Sequence, residues 1–418
     1  MRSELRIVRS REELAGLRLE ARLEHFLKAA EEIIQMVREG GDQALIELTR
    51  RFDGVDLSGR GLSVSREEFL EAYKRMDGRE VKALERLFSR IRWVERRLLR
   101  RLSLTLKTLD GVRLSLKPLP IDSVGCYVPG GGARYPTTLL MTVTPAKVAG
   151  VKRVVVATPP PVDDATLAAA YIAGVDELYL VGGAQAVAAM AYGTQSIKPV
   201  LKIVGPGGGY VAAAKLLVSR DVAIDFPAGP TELLVVADED ADARRVAVEL
   251  LSQAEHSPDT MVGLITGSEE FAEQVDEAFE REASKAERGE AALEAWRRNG
   301  FAALASTPEE AAEIVNEVAP EHLSVFSKSP GRLLEGVRNV GLISINTPSA
   351  LSDYMVGVNH VLPTWGWARV RGGLSVLDYV KLVYSVKASK TSLRKMAPWV
   401  KLLSELEGLP AHGEAVEA

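Results

Sequence analysis

Residues 123–131 read SVGCYVPGG, and four comparable runs follow: RVVVATPP (153–160), ELYLVGG (177–183), LKIVGPGG (201–208) and VAIDFPAG (222–229). Alanine-rich segments of helical character lie between several of them. Fully apolar strands that alternate with helices are typical of parallel βαβ units whose sheet is covered on both faces. Each run ends in glycine or proline, which predicts irregular loops at the carboxyl edge of this sheet, where open α/β sheets bind ligands.

A second series of short apolar runs follows the first: ELLVVAD (232–238), MVGLITG (261–267), FAALAS (301–306), LSVFS (323–327) and GLISINTPS (341–349). Upstream, apolar residues recur at helical spacing through HFLKAAEEIIQMVREGG, and the chain returns to helical patterns after residue 373. We therefore predict an α/β protein of four parts: a helical arm over residues 1–24, a first α/β domain made of residues 25–124 and 234–372, a second α/β domain of residues 125–233 inserted into it, and a small C-terminal domain of residues 373–418.

The composition excludes several classes of protein. The chain has 418 residues with 57 acidic and 52 basic side chains, so its formal net charge is −5. This acidic excess argues against a general nucleic-acid-binding protein, which needs a basic surface to displace counterions. The one cysteine, Cys126, excludes an internal disulfide and any site with several cysteine ligands. No signal peptide and no apolar run of about 18 residues is visible, so we expect a cytoplasmic protein.

One segment is rich in arginine: ERLFSRIRWVERRLLRRLSLT (85–105). Leu87, Ile91, Val94 and Leu98 form an apolar stripe at helical spacing, which indicates a packed helix whose arginines face solvent. On this segment alone, a non-enzymatic nucleic-acid-binding protein stays open as an alternative, and it predicts salt-sensitive binding to DNA.

Two glycine-rich loops are candidates for cofactor binding. GPGGGY (205–210) precedes a helix, but Tyr210 interrupts the GxGxxG pattern of dinucleotide-binding folds. Asp225 lies 20 residues after Gly205, where a ribose-binding acid is expected, although a glycine turn with a strand-end aspartate explains the pattern equally well. YVPGGGARYPTT (127–138) exposes backbone N–H groups at the start of a helix, and Tyr127 beside it could stack on a flat ring; a tight turn is the alternative.

The chain contains five histidines: His25, His256, His322, His360 and His412. Gln253 and His256 share one helix face in SQAEHSPDT, which allows two zinc ligands but does not complete a site. APEHLSV places Glu321 beside His322 before a strand, where an imidazole can accept an alcohol proton and a carboxylate can activate water. A surface pair is the alternative. His25 is assigned to helix packing or the surface.

Several long segments together resemble the histidinol dehydrogenase family, the zinc- and NAD-dependent enzymes of the last two steps of histidine biosynthesis. They are YVPGGGARYPTTLLMTVTPAKVAGV, VGGAQAVAAMAYGT, DFPAGPTELLVVAD, LLSQAEHSPD, PEHLSV and SDYMVGVNHVLPT. The resemblance runs from about residue 25 to residue 412. It implies two incomplete Rossmann-like α/β domains with a helical N-terminal extension, and a homodimer whose small C-terminal domains reach into the partner's site.

The resemblance also implies roles for individual positions. It gives the catalytic acid/base pair as Glu321 and His322, and the zinc ligands as Gln253, His256, Asp353 and His412. It gives the cofactor contacts as Tyr127, Gln185 and Gly208. It gives the substrate contacts as Thr231, His360 and Glu407, together with His322 and the four zinc ligands. The C-terminal ones, Glu407 and His412, are implied to act across the dimer interface.

Two positions depart from the family pattern. The family usually has asparagine at the position of Gly208, where it contacts the cofactor, so that side-chain contact is lost here. Thr231 stands where many members have serine, and it keeps the hydroxyl group.

The implied reaction oxidises L-histidinol through L-histidinal to L-histidine with two NAD⁺. Zinc would hold the substrate's amine and imidazole, His322 would take the hydroxyl proton during the first hydride transfer, and Glu321 would activate water before the second. Three alternatives stay open: a paralogue that oxidises another amino alcohol, a zinc-dependent hydrolase with Glu321 as its base, and a thiol route through Cys126.

Overall fold

The computed structural model describes residues 5–9, 13–14, 23–130 and 134–417, and it shows two six-stranded sheets and one three-stranded sheet. The predicted α/β fold class is confirmed. Most of the helical arm predicted for residues 1–24 lies outside the described residues. Within it, Ile7–Val8 (β1) forms a strand instead of a helix, because it pairs in parallel with residues 302–303.

Three helices follow the arm: α1 (Leu23–Asp53), α2 (Arg66–Arg75) and α3 (Gly78–Arg101). In α3, Leu87 and Ile91 are buried and the arginines lie on the exposed face, as predicted for the arginine-rich segment. Glu95 is buried on the same helix and accepts a hydrogen bond of 2.8 Å from the Val376 N–H. The arginine series is therefore the solvated side of a packed helix.

The first sheet has the strand order β2-β7-β6-β5-β8-β9. Its strands are β2 (Ser63–Val64), β5 (Ser123–Tyr127), β6 (Arg153–Thr158), β7 (Glu177–Leu180), β8 (Lys202–Val204) and β9 (Ala223–Ile224). All are parallel to their neighbours except β2, which is antiparallel to β7. The connecting helices are α4 (Pro136–Ala149), α5 (Asp164–Ala173), α6 (Gly183–Tyr192) and α7 (Gly209–Val218). The predicted parallel βαβ units are thus confirmed.

Helices α1–α3 pack on this first sheet and not on the second. Leu45, Phe69 and Ile91, one from each helix, share a single hydrophobic core with Val154 and other residues of the first sheet. Strand β2, between α1 and α2, adds itself to the edge of the same sheet. This packing corrects the prediction that residues 25–124 form a domain with residues 234–372. Sequence adjacency could not reveal which of two apolar sheets would receive the helices.

The second sheet has the strand order β1-β12-β11-β10-β13-β14, all parallel. Its remaining strands are β10 (Glu232–Ala237), β11 (Met261–Thr266), β12 (Phe301–Leu304), β13 (His322–Phe326) and β14 (Leu342–Ile345). The helices of this unit are α8 (Ala243–Ala254), α9 (Glu269–Ala283), α10 (Gly289–Asn299), α11 (Pro308–Val318) and α12 (Gly331–Gly336). Two hydrophobic clusters cover its faces, as expected for a parallel sheet buried on both sides.

The C-terminal part contains a strand that the helical prediction for residues 373–418 missed. Strand β15 (Val380–Lys387) pairs antiparallel with β4 (Arg113–Pro120), which also pairs with β3 (Leu104–Lys107). Helices α13 (Lys390–Leu406) and α14 (Pro410–Glu417) follow and pack chiefly on each other. Large apolar side chains of this part are exposed: Leu382, Tyr384, Val386, Trp399, Leu403 and Leu406. Among the helices in the described ranges, none is long and apolar enough to cross a membrane.

Candidate active site

The predicted catalytic pair lies at the amino edge of the second sheet. Glu321 immediately precedes β13, and His322 is the first residue of that strand. The parallel pairing of β13 with β10 sets Leu233 beside His322, and it therefore brings Glu232 next to Glu321. The side chains of Glu232, Glu321 and His322 are all buried.

The carboxyl edge of the same sheet is the usual ligand edge of an open α/β fold, and it holds a cleft of about 290 Å³. Its basic side chains already have partners: Lys328 pairs with Asp240, and Arg245 donates a hydrogen bond of 2.8 Å to the Asn346 carbonyl. The two potential catalytic groups are at the opposite edge, so we locate the candidate site there.

Glu321 and Glu232 form a buried pair of carboxyl groups. The Glu232 N–H donates to Glu321 Oε2 at 3.1 Å, and the Trp365 N–H donates to Glu232 Oε1 at 2.8 Å. Burial raises the pKa of Glu232 to about 8. Burial, and then the nearby carboxyls of Glu232 and Asp353, raise the pKa of Glu321 well above its usual value. A carboxyl group in such surroundings can exchange a proton near neutral pH.

His322 is held as a neutral imidazole. Burial, reinforced by His360 and His256 nearby, lowers its pKa to about 3. Its Nε2 atom lies 3.9 Å from Glu321 Oε1 and 3.9 Å from Asp353 Oδ1, and its buried Nδ1 has no hydrogen-bond partner. An uncharged ring in this position is available to accept a proton from a bound alcohol.

His360 has a partner on each ring nitrogen. Nδ1 lies 3.0 Å from the Asp353 carbonyl oxygen, which can only accept, so Nδ1 carries the hydrogen. Nε2 lies 3.0 Å from Thr138 Oγ1 and therefore accepts from that hydroxyl. Burial lowers the His360 pKa to about 4. Thr138, on the first turn of α4, was not among the predicted site residues; only its place after a glycine-rich loop hinted at a role.

Three of the four predicted zinc ligands lie near the predicted catalytic pair, Glu321 and His322. Gln253, in the last turn of α8, donates through Nε2 to Asp353 Oδ2 at 3.0 Å and to Ser349 Oγ at 3.2 Å, which leaves its amide oxygen out of both bonds. Asp353 Oδ1 is buried without a hydrogen-bond partner, and burial raises the Asp353 pKa to about 7. His256 lies close enough to help lower the pKa of His322 and of His360, and burial lowers the pKa of His256 itself. An unpaired carboxylate oxygen, an amide oxygen and a neutral imidazole fit a divalent zinc ion.

Glu249 supports this group from one turn earlier on α8. Its Oε1 atom accepts from the Ser324 hydroxyl at 2.6 Å and from the Ser349 N–H at 2.8 Å. The Ser349 hydroxyl in turn accepts a hydrogen bond from Gln253 Nε2. Glu249 therefore holds in place the residue that binds the Gln253 amide. A glutamate within an amphipathic helix carries no distinguishing signal in the sequence, so a role for Glu249 was not predictable.

The remaining predicted substrate contacts are separated in the single chain. Thr231 immediately precedes β10, is half-buried, and lies next to Glu232. Glu407, at the end of α13, and His412, in α14, are both exposed. In the part of the chain that the structure describes, no three His, Cys, Asp or Glu side chains gather closely enough to hold a metal ion. A single chain therefore does not bring His412 to His256 and Asp353.

The predicted cofactor residues Tyr127 and Gln185 both lie beside Gly183 at the carboxyl edge of the first sheet. Tyr127 ends β5, and its hydroxyl accepts a hydrogen bond of 3.0 Å from the Gly183 N–H at the start of α6. Gln185 is buried in the first turn of α6, with its side chain folded toward Gly183. The Tyr127 ring is 5 % exposed, which leaves little of its surface for stacking on a flat cofactor ring.

Two other sequence-based hypotheses are wrong in the structure. Asp225 does not face a ribose site, because it is buried and its two carboxylate oxygens are bound to Lys215 and to backbone N–H groups. Cys126 is fully buried in β5, and burial raises its thiol pKa to about 12, which removes the thiolate that a thiol route needs. Gly208, the third predicted cofactor contact, caps α7 with open space at its Cα position.

Known proteins of similar sequence identify the family of this chain. The family model described as histidinol dehydrogenase matches residues 17–418. The chain is 47 % identical over 390 residues to the histidinol dehydrogenase of Methanothermobacter thermautotrophicus, covering 92 % of this chain and 91 % of that one. For the Methanopyrus kandleri enzyme of the same name, identity is 45 % over 402 residues, covering 94 % and 93 %.

A solved structure leads to the same family. The crystal structure of histidinol dehydrogenase from Elizabethkingia anophelis superposes with a TM-score of 0.88 at 29 % identity, covering 99 % of this chain and 97 % of that one. Both the sequence match and the fold match extend over nearly the whole chain. The chain belongs to the histidinol dehydrogenase family of NAD-dependent oxidoreductases, which act in histidine biosynthesis.

Proposed function

We propose that the amino edge of the second sheet oxidises L-histidinol through L-histidinal to L-histidine, with two NAD⁺ consumed in turn. The observation that carries this proposal is the approach of a neutral imidazole, His322, to the carboxyl groups of Glu321 and Asp353, each 3.9 Å from Nε2. Such a site contains both a base for an alcohol proton and a base for water. A role in amino-acid biosynthesis also supports a cytoplasmic location.

In the first half-reaction His322 is the base. As the carbinol carbon passes a hydride to NAD⁺, His322 takes the hydroxyl proton, and the products are the aldehyde, NADH and an imidazolium. The low pKa of the buried ring keeps it uncharged beforehand, so it enters the step able to accept. The same low pKa favours loss of the proton afterwards.

In the second half-reaction Glu321 is the base. It takes a proton from water as the oxygen adds to the aldehyde carbon, and it returns this proton to the former carbonyl oxygen, which gives the hydrated aldehyde. The hydrate then passes its hydride to a second NAD⁺ while the neutral His322 ring takes a hydroxyl proton, and the product is the carboxylic acid. The hydrogen bond from the Glu232 N–H to Oε2 holds the Glu321 side chain in place and leaves Oε1 on the His322 side.

Gln253, His256 and Asp353 would hold a zinc ion, and the partner subunit's His412 would be the fourth ligand. The ion, when bound, supplies positive charge that fixes the substrate's amine and imidazole relative to the cofactor. The unpaired Oδ1 of Asp353 and the unused amide oxygen of Gln253 support this assignment. Thr231, His360 and the partner subunit's Glu407 would complete the substrate contacts.

The C-terminal part supports a homodimer in which each chain completes the site of the other. Glu407 and His412 are exposed here, and the apolar side chains around them, including Trp399, Leu403 and Leu406, are also exposed. A surface of this kind is typical of an obligate interface.

The cofactor would bind across the loops at the carboxyl edge of the first sheet, with Tyr127, Gln185 and the backbone at Gly208 in contact.

The decisive experiment measures NADH formed per histidinol, with and without a chelator. We expect a ratio of two and loss of activity on zinc removal that zinc restores. His322→Asn should abolish the first hydride transfer. A ratio of two in a fully active zinc-free enzyme would remove the metal assignment, and histidinol-independent hydrolysis without NADH would identify a zinc hydrolase instead.

A further inference from the structure

We infer that Lys215 and Asp225 are positioning residues for the cofactor. Together they bind the N–H and the carbonyl oxygen of Gly205, at the start of the Gly205–Gly208 loop. The inference rests on the proposed function, in which that loop contacts NAD⁺. Neither residue was predicted to act in this way; Asp225 was a candidate for direct ribose contact.

The contacts form a closed set around one glycine. Lys215 Nζ lies 2.5 Å from Asp225 Oδ1 and donates to the Gly205 carbonyl at 2.8 Å. Asp225 Oδ2 accepts from the Gly205 N–H at 2.8 Å. Asp225 Oδ1 also accepts from the N–H of Phe226, which ties the end of β9 to the same pair. The position of the loop is therefore set by an ion pair on a neighbouring helix and strand.

The other side of Gly205 is closed by the backbone of Tyr127. Gly205 has a φ of +115°, a conformation that L side chains rarely adopt, and an added Cβ would come within 2.2 Å of the Tyr127 carbonyl oxygen. Tyr127 is itself bound to the Gly183 N–H. Gly205 is thus fixed between the ion pair and the strand that carries a predicted cofactor residue.

The pair is placed so that it cannot touch a ligand itself. The side chains of Lys215 and Asp225 are 1 % and 0 % exposed. A buried ion pair contributes little more to stability than apolar side chains of similar volume would, because the desolvation of both charges offsets their attraction. Apolar residues could not replace the acceptor that Asp225 offers to the Gly205 N–H or the donor that Lys215 offers to the Gly205 carbonyl oxygen.

The loop leads directly into a helix start that suits a phosphate. Gly208 is the N-cap residue of α7, no side chain caps that helix, and nothing lies within 4 Å of where a Cβ would be. Free N–H groups and the helix dipole favour an anion there. Gly205 is only three residues before Gly208. A shift of the Gly205 backbone would therefore move the start of α7 relative to the proposed active site at the amino edge of the second sheet.

The test separates loop position from stability with two variants. Asp225→Asn keeps an acceptor for the Gly205 N–H but leaves the Lys215 charge buried and unpaired. The paired variant Lys215→Met/Asp225→Leu removes both charges and both contacts to Gly205. We expect Asp225→Asn to have the lower melting temperature but a KM for NAD⁺ within about threefold of wild type. The paired variant should melt at the higher temperature of the two, yet its KM for NAD⁺ should rise about tenfold or more, with the KM for histidinol unchanged.

Lys147→Met is the matched control, because Lys147 forms an ion pair of 2.7 Å with Asp176 in the same sheet unit. It should lower the melting temperature without changing the KM for NAD⁺. The inference is overturned if the paired variant keeps the wild-type KM for NAD⁺, or if this KM rises in all three variants in proportion to the loss of melting temperature.

A fourth variant distinguishes failure of this inference from failure of the proposed function. Gly208→Asp adds a negative charge at the open start of α7 and should raise the KM for NAD⁺. If it does and the paired variant does not, only the positioning role of Lys215 and Asp225 is refuted. If Gly208→Asp leaves cofactor binding unchanged, the loop does not bind NAD⁺. This inference then fails together with the cofactor placement in the proposed function, whereas the reaction itself is tested by the NADH count.

Discussion

Replacing Glu232 by glutamine should stabilise the protein at neutral pH, although the residue lies beside Glu321, the proposed base for water. Glu232 is fully buried, its Oε1 atom accepts from the Trp365 N–H at 2.8 Å, and its Oε2 atom has no hydrogen-bond partner. Burial raises its pKa from the ordinary 4.5 to about 8. Glutamine has the same shape, can accept the same hydrogen bond and cannot ionise.

The size of the effect follows from proton linkage. At a pH below 4.5 the folded and unfolded chains both carry the proton on Glu232, so the stability that depends on it is fully present. Between 4.5 and about 8 only the folded chain keeps the proton, so the free energy of unfolding falls by about 1.36 kcal/mol per pH unit as the pH rises. Over the interval to pH 7, the loss is about 3 kcal/mol. Glu232→Gln should recover an energy of this order.

The assay is denaturant unfolding at pH 5 and pH 7. Both measurements use one protein concentration, because the stability of the proposed homodimer would depend on it. The advantage of Glu232→Gln should be about 1 kcal/mol or less at pH 5 and about 3 kcal/mol at pH 7. Since Glu232 is uncharged at pH 7 in the folded state, turnover should change little. An equal difference at both pH values, or a less stable variant at pH 7, would refute the reasoning.

A neighbouring glutamate provides the control for this measurement. Glu249 is also buried, but its Oε1 atom accepts hydrogen bonds from the Ser324 hydroxyl and the Ser349 N–H. Glu249→Gln puts a weaker acceptor, or an amide donor, opposite those two donors. It should therefore lower stability at both pH values, by about 1–3 kcal/mol.

Three further predictions concern the site directly. Gly208→Asn should fold without strain, because the space there is open, cap α7 by a few tenths of a kcal/mol, and lower the KM for NAD⁺ in steady-state assays. Thr138→Val removes the hydroxyl that binds His360 Nε2, so the KM for histidinol should rise about fivefold, from a net hydrogen-bond energy of about 1 kcal/mol; Thr138→Ser should keep the wild-type value. Mixing the inactive variants His322→Asn and His412→Ala under subunit exchange should restore about a quarter of the activity, since each mixed dimer has one intact site; no recovery would contradict a shared site.

Local sequence patterns predicted those features of the fold that depend on neighbours in the chain. The glycine-terminated apolar runs are strands of a parallel sheet, and the stripe through Leu87 and Ile91 is the buried side of a helix. Gln253 and Glu321 were singled out by residue type and spacing, and the structure brings their neighbourhoods together.

Features that depend on contacts distant in sequence were not predictable in this way. Asp225 has the spacing of a ribose-binding acid, but the partner that draws it inward, Lys215, looks like any other lysine of a helix. Thr138 and Glu232 acquire roles only when residues 222 and 133 positions later fold against them. The placement of α1–α3 likewise depends on which apolar sheet accepts them, and both sheets offer similar surfaces.

The substrate-binding groups and the proposed cofactor loop lie on different sheet units. This separation matters for an enzyme that oxidises one bound substrate twice. His322 begins β13 of the second sheet, Glu321 immediately precedes it, and Gln253 lies on α8 of the same unit. The Gly205–Gly208 loop instead follows β8 of the first sheet. With NAD⁺ bound at that loop, as proposed, spent coenzyme can leave and fresh coenzyme enter while the groups that retain the aldehyde stay still. The reactive aldehyde would then stay bound in the site from the first hydride transfer to the second.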